Sequence, residues 1–307
     1  MTKRSEAGRF KGVFPPMITP LSGRDELDVK GLQRLVEHIL GGGAHGLFIL
    51  GTTGEAPSLS HERRQEVIRR VCDQVGDRVP VLVGITDTSF LESVNMAALA
   101  HRAGAAAVVL APPYYFPAGQ PELLEYIRHL APELALPLFL YNMPSHTKLV
   151  FEPDTVAAAA DIPGIVGLKD SSGNMLYFHQ LQALLKKRPD FALLIGSEQL
   201  MGEAILLGAH GAVCGGANLY PRLFVSLYEA ASTGDVRRVM SLHASVMQIS
   251  NTIYSVGRYG SSYLKGIKCA LSCMGICDDF MAEPFHRFRD AERRVIRRHL
   301  KALSAVR

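Results

Sequence analysis

With 307 residues, 48% of them hydrophobic and 20% charged, the chain has the composition of a globular protein with a large core, which excludes a disordered or fibrous chain. A net charge of +4, basic residues interleaved with acids in "FHRFRDAERRVIRRHLKALSAVR" and the absence of Trp argue against a nucleic-acid surface. No apolar run reaches membrane-span length, "MTKRSEAGRFKG" lacks a signal-peptide core, and an odd count of five cysteines suits a reducing compartment, so a cytoplasmic protein with no membrane partner is expected.

In chain order, "GVFPPMIT" opens a series in which short β-rich runs alternate with longer amphipathic ones. "GLFILG", "VPVLVGIT", "AAVVLAPPYY", "LPLFLYNMP", "GIVGLKD", "FALLIGSE" and "GAVCGGAN" are the further strand candidates. They are apolar along nearly their whole length, as strands buried on both faces of a parallel sheet are. Helical periodicity lies between them, as in "VKGLQRLVEHILGGGAH", "SHERRQEVIRRVCDQV", "SFLESVNMAALAHRAGA" and "MLYFHQLQALLKKRPD". Gly43, Gly104 and Gly208 stand where helix ends want a left-handed residue.

Eight such units in series predict an α/β protein, a (β/α)8 TIM barrel over residues 10–232. From about Val236 the pattern turns wholly helical, which predicts a C-terminal helical extension, residues 233–307, packed on the barrel. There Cys269, Cys273 and Cys277 recur every four residues and form one stripe if the segment is helical. With no C-x-x-C pair or nearby His to complete a tetrahedral set, apolar packing is the expected role and no metal is expected.

A barrel gathers the C-terminal ends of its strands at one mouth, where chemistry is built. "GTTGE", "PPYYFP", "YNMPSHT", "LKDSSG" and "GSEQ" meet there. "GTTGE" is neither a P-loop, lacking the Lys, nor a dinucleotide turn. By itself it reads as a tight turn capped by hydroxyls or as an anion cradle. Lys169 follows "IVGL" at the inner end of a buried strand, where desolvation favours a neutral amine able to attack a ketone; the alternative is pairing with Asp170. Tyr141 ends the preceding strand and offers a proton relay for such chemistry; the alternative is a core tyrosine capping a carbonyl. Thr52 and Thr53 could then hold a substrate carboxylate with their hydroxyls and N–H groups. No H-x-H, H-E-x-x-H or carboxylate cluster supports a metal-dependent barrel enzyme.

"GTTGE", "PPYY", "YNMP…T" and "GLKD…G" occur in an order and spacing that resembles the dihydrodipicolinate synthase/N-acetylneuraminate lyase family of pyruvate-dependent class I aldolases, over about residues 10 to 300. The resemblance implies a barrel with C-terminal helices, assembled as a homotetramer (a dimer of dimers), acting on pyruvate and an aldehyde without metal or cofactor. It implies that Lys169 forms the Schiff base, Tyr141 transfers protons, and Thr52 and Thr53 hold the pyruvate carboxylate, Thr52 also joining the relay. Tyr115 matches the residue donated across the dimer interface, while Gly196 and Val213 match positions flanking the keto acid.

At the rim of the site one residue departs from the synthases. His146 stands where they carry an arginine that receives the acidic aldehyde, and imidazole is neither permanently charged nor bidentate. Glu198 stands where sugar-acid lyases carry an acid that meets substrate hydroxyls; acids also stand there in the synthases, and a strand-end carboxylate can also simply be solvated. For feedback by lysine, His61, Glu92 and Tyr114 fit the regulated synthases, whereas Ala56, Arg64 and Thr88 do not. The resemblance therefore implies a dihydrodipicolinate synthase-like condensation, with N-acetylneuraminate or 2-keto-3-deoxy sugar-acid cleavage as the alternative.

Overall fold

Eight parallel strands curl into a barrel in the computed structural model, which describes residues 9–303. They are β1 (Gly12–Val13), β4 (Leu47–Ile49), β5 (Val81–Gly84), β6 (Ala107–Leu110), β7 (Leu138–Asn142), β8 (Ile165–Asp170), β9 (Ala192–Ile195) and β10 (Gly211–Ala212). The ladder runs β1-β10-β9-β8-β7-β6-β5-β4. It closes through a parallel bridge between Pro16 and Phe48, with Met17 N–H on Phe48 O at 2.8 Å and Phe48 N–H on Pro15 O at 3.0 Å. Each expected strand is present. The first is much shorter than "GVFPPMIT", because Pro15 and Pro16 have no N–H to give the ladder.

The barrel interior is a packed core. Phe10, Phe14, Phe48, Phe139, Leu82, Val109, Val166 and Leu194 fill it, with Phe10 edge-on to Phe139 at 5.0 Å. A second apolar layer lies between the strands and the helices around them. Ser60 and Ser89 accept from the N–H groups of Arg63 and Glu92 to start helices His61–Val75 and Phe90–Arg102. Gly43, Gly104 and Gly208 all adopt positive φ after their helices, as expected.

Two features differ from the sequence expectation. A small antiparallel hairpin, β2 (Leu21–Gly23) with β3 (Glu26–Leu27), follows the first barrel strand. The C-terminal segment is not wholly helical: helices Val236–Thr252, Ser262–Cys273 and Asp290–Leu303 are separated by turns and extended chain. Gly257 and Gly275, both at positive φ, and Pro284 account for the breaks. Cys277 therefore lies beyond the helix that carries Cys269 and Cys273, and the three do not form one stripe. Burial pushes the Cys269 and Cys277 thiols up to about 12. Among the described residues no three His, Cys, Asp or Glu side chains group as metal ligands, and no helix is long and apolar enough to cross a membrane.

Candidate active site

The strand register sets the site. β7 and β8 pair with Tyr141 beside Lys169 and Asn142 beside Asp170. Successive side chains point to opposite faces, so Lys169 enters the barrel while Asp170 faces the helical layer. Asp170 is fully buried and accepts from Asn142 Nδ2 at 2.8 Å, Ser172 N–H at 3.0 Å and Ser172 Oγ at 2.9 Å. Burial raises its pKa, and the hydrogen bonds from Asn142 and Ser172 and the charge of Lys169 offset this only in part. The pairing of Lys169 with Asp170 considered from the sequence is thus not made.

Lys169 is 6% exposed, and among the described residues its Nζ forms no hydrogen bond or ion pair. It lies 3.9 Å from the Tyr141 ring centroid and 4.9 Å from that of Phe48, so two aromatic rings are its partners. The Tyr141 hydroxyl is 3.3 Å from Thr52 Oγ1, which links strand β7 to the "GTTGE" turn.

That turn is tightly wound. Gly54 N–H donates to Gly51 O at 3.1 Å and Glu55 N–H to Thr52 O at 3.0 Å. Among the described residues the Thr52 and Thr53 N–H groups donate to no protein acceptor, so two backbone donors remain for an anion. Thr53 is buried and lines the cavity together with Tyr263. The glycine of β5 is required here: a Cβ on Gly84 would stand 2.1 Å from Leu50 O.

Lys169, Tyr141, Thr52, Thr53, Gly196, Val213, His146 and Glu198 all line one cavity of about 720 Å³ at the barrel mouth. A Cβ at Gly196 would meet Ser171 Oγ at 2.0 Å and Lys169 Cε at 3.1 Å, so glycine leaves the space beside the amine open. Val213 packs into the barrel interior, its N–H on Ile195 O at 2.8 Å. His146 sits at the rim with Nδ1 3.0 Å from Ser145 Oγ. Partial burial, then the charges of Lys148 and Lys169, lower its pKa, so the ring is neutral at neutral pH.

Glu198 is not a solvated strand-end acid. It is buried, and its oxygens accept from Gly216 N–H at 2.8 Å and the Tyr254 hydroxyl at 2.6 Å. Burial raises its pKa. Tyr115 does not line the cavity of its own chain; it is 75% exposed and packs edge-on to Phe116. Arg64 donates to Asp87 at 2.9 Å, and Asp87 also meets His61 at 3.0 Å.

Sequence reasoning missed the contribution of the C-terminal helices. Tyr263 lines the cavity from helix Ser262–Cys273, and Lys268 of the same helix is ion-paired to Glu55 of the turn. Nothing local marks either residue, because their partners lie about two hundred residues away.

Comparison with known proteins agrees with this fold. The dihydrodipicolinate synthetase family profile matches residues 9–303. The chain is 32% identical to a 4-hydroxy-tetrahydrodipicolinate synthase of Methanopyrus kandleri, over 97% of this chain and 98% of that one. It is 31% identical to an uncharacterized DapA-like lyase of Halobacterium salinarum, over 96% and 94% of the two chains. The structure of dihydrodipicolinate synthase from Bacteroides thetaiotaomicron superposes with a TM-score of 0.93 at 56% identity, covering 95% of this chain and 98% of that one. YagE, an Escherichia coli K12 prophage protein of the dihydrodipicolinic acid synthase family solved in complex with pyruvate, gives 0.89 at 29% identity, covering 96% and 98%. The fold is a (β/α)8 barrel with C-terminal helices, and the chain belongs to the dihydrodipicolinate synthetase family, whose members are synthases and lyases.

Proposed function

We propose that the protein is a pyruvate-dependent class I aldolase of the 4-hydroxy-tetrahydrodipicolinate synthase type, joining pyruvate to an aldehyde through a Schiff base on Lys169. The observation that carries this reading is the setting of Lys169: a buried primary amine with no carboxylate partner among the described residues, facing Tyr141 in an open cavity. Nζ adds to the keto carbon, an amine proton passes to the carbonyl oxygen, and a second proton carries that oxygen off as water, leaving an iminium. Loss of a C3 proton gives the enamine, which attacks the aldehyde carbon while the aldehyde oxygen takes up a proton. We assign these transfers to Tyr141, with Thr52 next in the relay and Tyr115 of a second copy completing it. The Thr52 and Thr53 N–H groups and hydroxyls hold the carboxylate, and Gly196 and Val213 flank the keto acid. Pyruvate bound in the related YagE structure supports the choice of keto acid. The assembly we expect is a homotetramer, and the location cytoplasmic.

A second reading has its own observation. Among the described residues lining the cavity, Lys169 is the sole lysine or arginine, while Ser171, Ser197, Gln199 and Ser261 offer hydroxyls and an amide beside a neutral His146. That lining favours a neutral, hydroxylated aldehyde, as released from a 2-keto-3-deoxy sugar acid or N-acetylneuraminate. The test is kcat/KM with pyruvate plus aspartate semialdehyde, N-acetylmannosamine or sugar aldehydes, with the cleavage direction measured in parallel. Turnover confined to aspartate semialdehyde selects the synthase; turnover of sugar-derived substrates selects the lyase; none with any of them overturns both. The scheme calls for no metal, so EDTA leaves turnover intact.

A further inference from the structure

Two residues flanking the threonine turn hold a backbone conformation that side chains rarely adopt, Leu50 at φ 57° and Glu55 at φ 55°. Such conformations persist only where the surroundings over-determine them, and they gather at ligand clamps. At Glu55 those surroundings are identifiable. Its buried carboxylate accepts from the fully buried ammonium of Lys268 and from Ala282 N–H at 2.9 Å. Lys268 also donates to Phe280 O at 2.6 Å. The neighbouring Gly54 O accepts from Thr19 Oγ1 at 2.7 Å.

Fold stability alone is a poor account of this pair. Taking two charges out of water is costly, and well-packed apolar residues often serve stability as well or better. What the pair does uniquely is tie a left-handed residue of the turn to a helix outside the barrel. The same helix also carries Tyr263 into the cavity that Thr53 lines.

We propose that Lys268 is a positioning residue: acting through Glu55, it fixes the Gly51–Glu55 turn so that the Thr52 and Thr53 N–H groups stay aimed at the substrate carboxylate. This rests on the reading of the turn as a carboxylate cradle and of Lys169 as the Schiff-base amine. Loosening the turn costs recognition of the carboxylate, not the reactivity of the amine.

Two variants test it, Lys268→Met and the double variant Lys268→Met/Glu55→Gln, which leaves no unpaired buried charge. Borohydride trapping at Lys169 is titrated with pyruvate and with acetone, a ketone without a carboxylate, and folding is followed by circular dichroism and thermal melting. In the folded variants half-saturating pyruvate rises about ten- to a hundredfold, the worth of weakened charge-assisted hydrogen bonds, while acetone trapping is unchanged. Where the single variant does not fold, the double variant decides. Equal changes with both ketones, or no change with either, overturn the proposal. So does failure of the double variant to fold, because the pair would then hold the fold and not the turn. A wild type that takes no adduct overturns the underlying function and the proposal with it, whereas a trapped wild type with unaltered variants overturns the positioning role alone.

Discussion

Tyr141 and Thr52, 89 residues apart in sequence, bring their hydroxyl oxygens to 3.3 Å at the barrel mouth, beside the amine of Lys169. A phenol in contact with one hydroxyl and facing an amine is an arrangement for moving protons. Tyr141→Phe keeps the ring that Lys169 packs against and removes only the hydroxyl. Turnover should fall by about 10²–10⁴-fold, the usual worth of general acid–base catalysis. Thr52→Val should cost less alone and add little on top of Tyr141→Phe, because both act in one relay. Steady-state kinetics of the two single variants and the double variant check this; full additivity would separate the two residues.

His146 decides how an acidic aldehyde is received. Its neutral ring provides no permanent charge at the rim, so native activity with aspartate semialdehyde should be weak. His146→Arg supplies a charged, bidentate donor worth about 1.5–3 kcal/mol, or roughly ten- to a hundredfold in kcat/KM. Efficient wild-type turnover of aspartate semialdehyde, with no gain in the variant, would make the departure at this position neutral.

Two histidines make the fold sensitive to mild acid. His45 Nδ1 accepts from Val13 N–H and His210 Nδ1 from Leu193 N–H, each at 3.2 Å, so both must be neutral on that nitrogen. Burial lowers the pKa of each from the ordinary 6.5; Glu229 partly offsets this at His45, and Lys11 adds to it at His210. A base with a depressed folded pKa takes up its proton more readily in the unfolded chain. Its stabilising effect is therefore complete above about pH 6.5 and is lost as pH falls below that value toward the folded pKa. Urea midpoints at pH 7.5, 6.5 and 5.5 should fall with acid, and His210→Asn, which keeps an acceptor for Leu193 N–H, should flatten the slope. An identical slope in the variant would remove His210 from the account.

The sequence was legible where structure repeats locally. Runs such as "AAVVLAPPYY" and "FALLIGSE" identify barrel strands because both faces are buried, and Lys169 and Tyr141 stand out as polar residues at the inner ends of such runs. Three-residue strand Leu21–Gly23 has too few residues for any periodicity to show. Asn142 holding Asp170 depends on strand pairing, which no spacing encodes. Lys268 and Tyr263 were hidden for the same reason, since only tertiary packing brings their helix to the turn at residues 51–55. The helical pattern after Val236 persists on both sides of Gly257 and Gly275, so the left-handed turns that split it into separate helices leave no mark on its periodicity.

The central claim is that the amine of Lys169 forms a Schiff base with pyruvate. Sodium borohydride added with pyruvate should irreversibly inactivate the enzyme and add one reduced pyruvyl group, located by peptide mass spectrometry on Lys169. Lys169→Ala, with its fold intact, should take no label and show no turnover. Label on a different residue, or an active enzyme that takes none, would contradict the account.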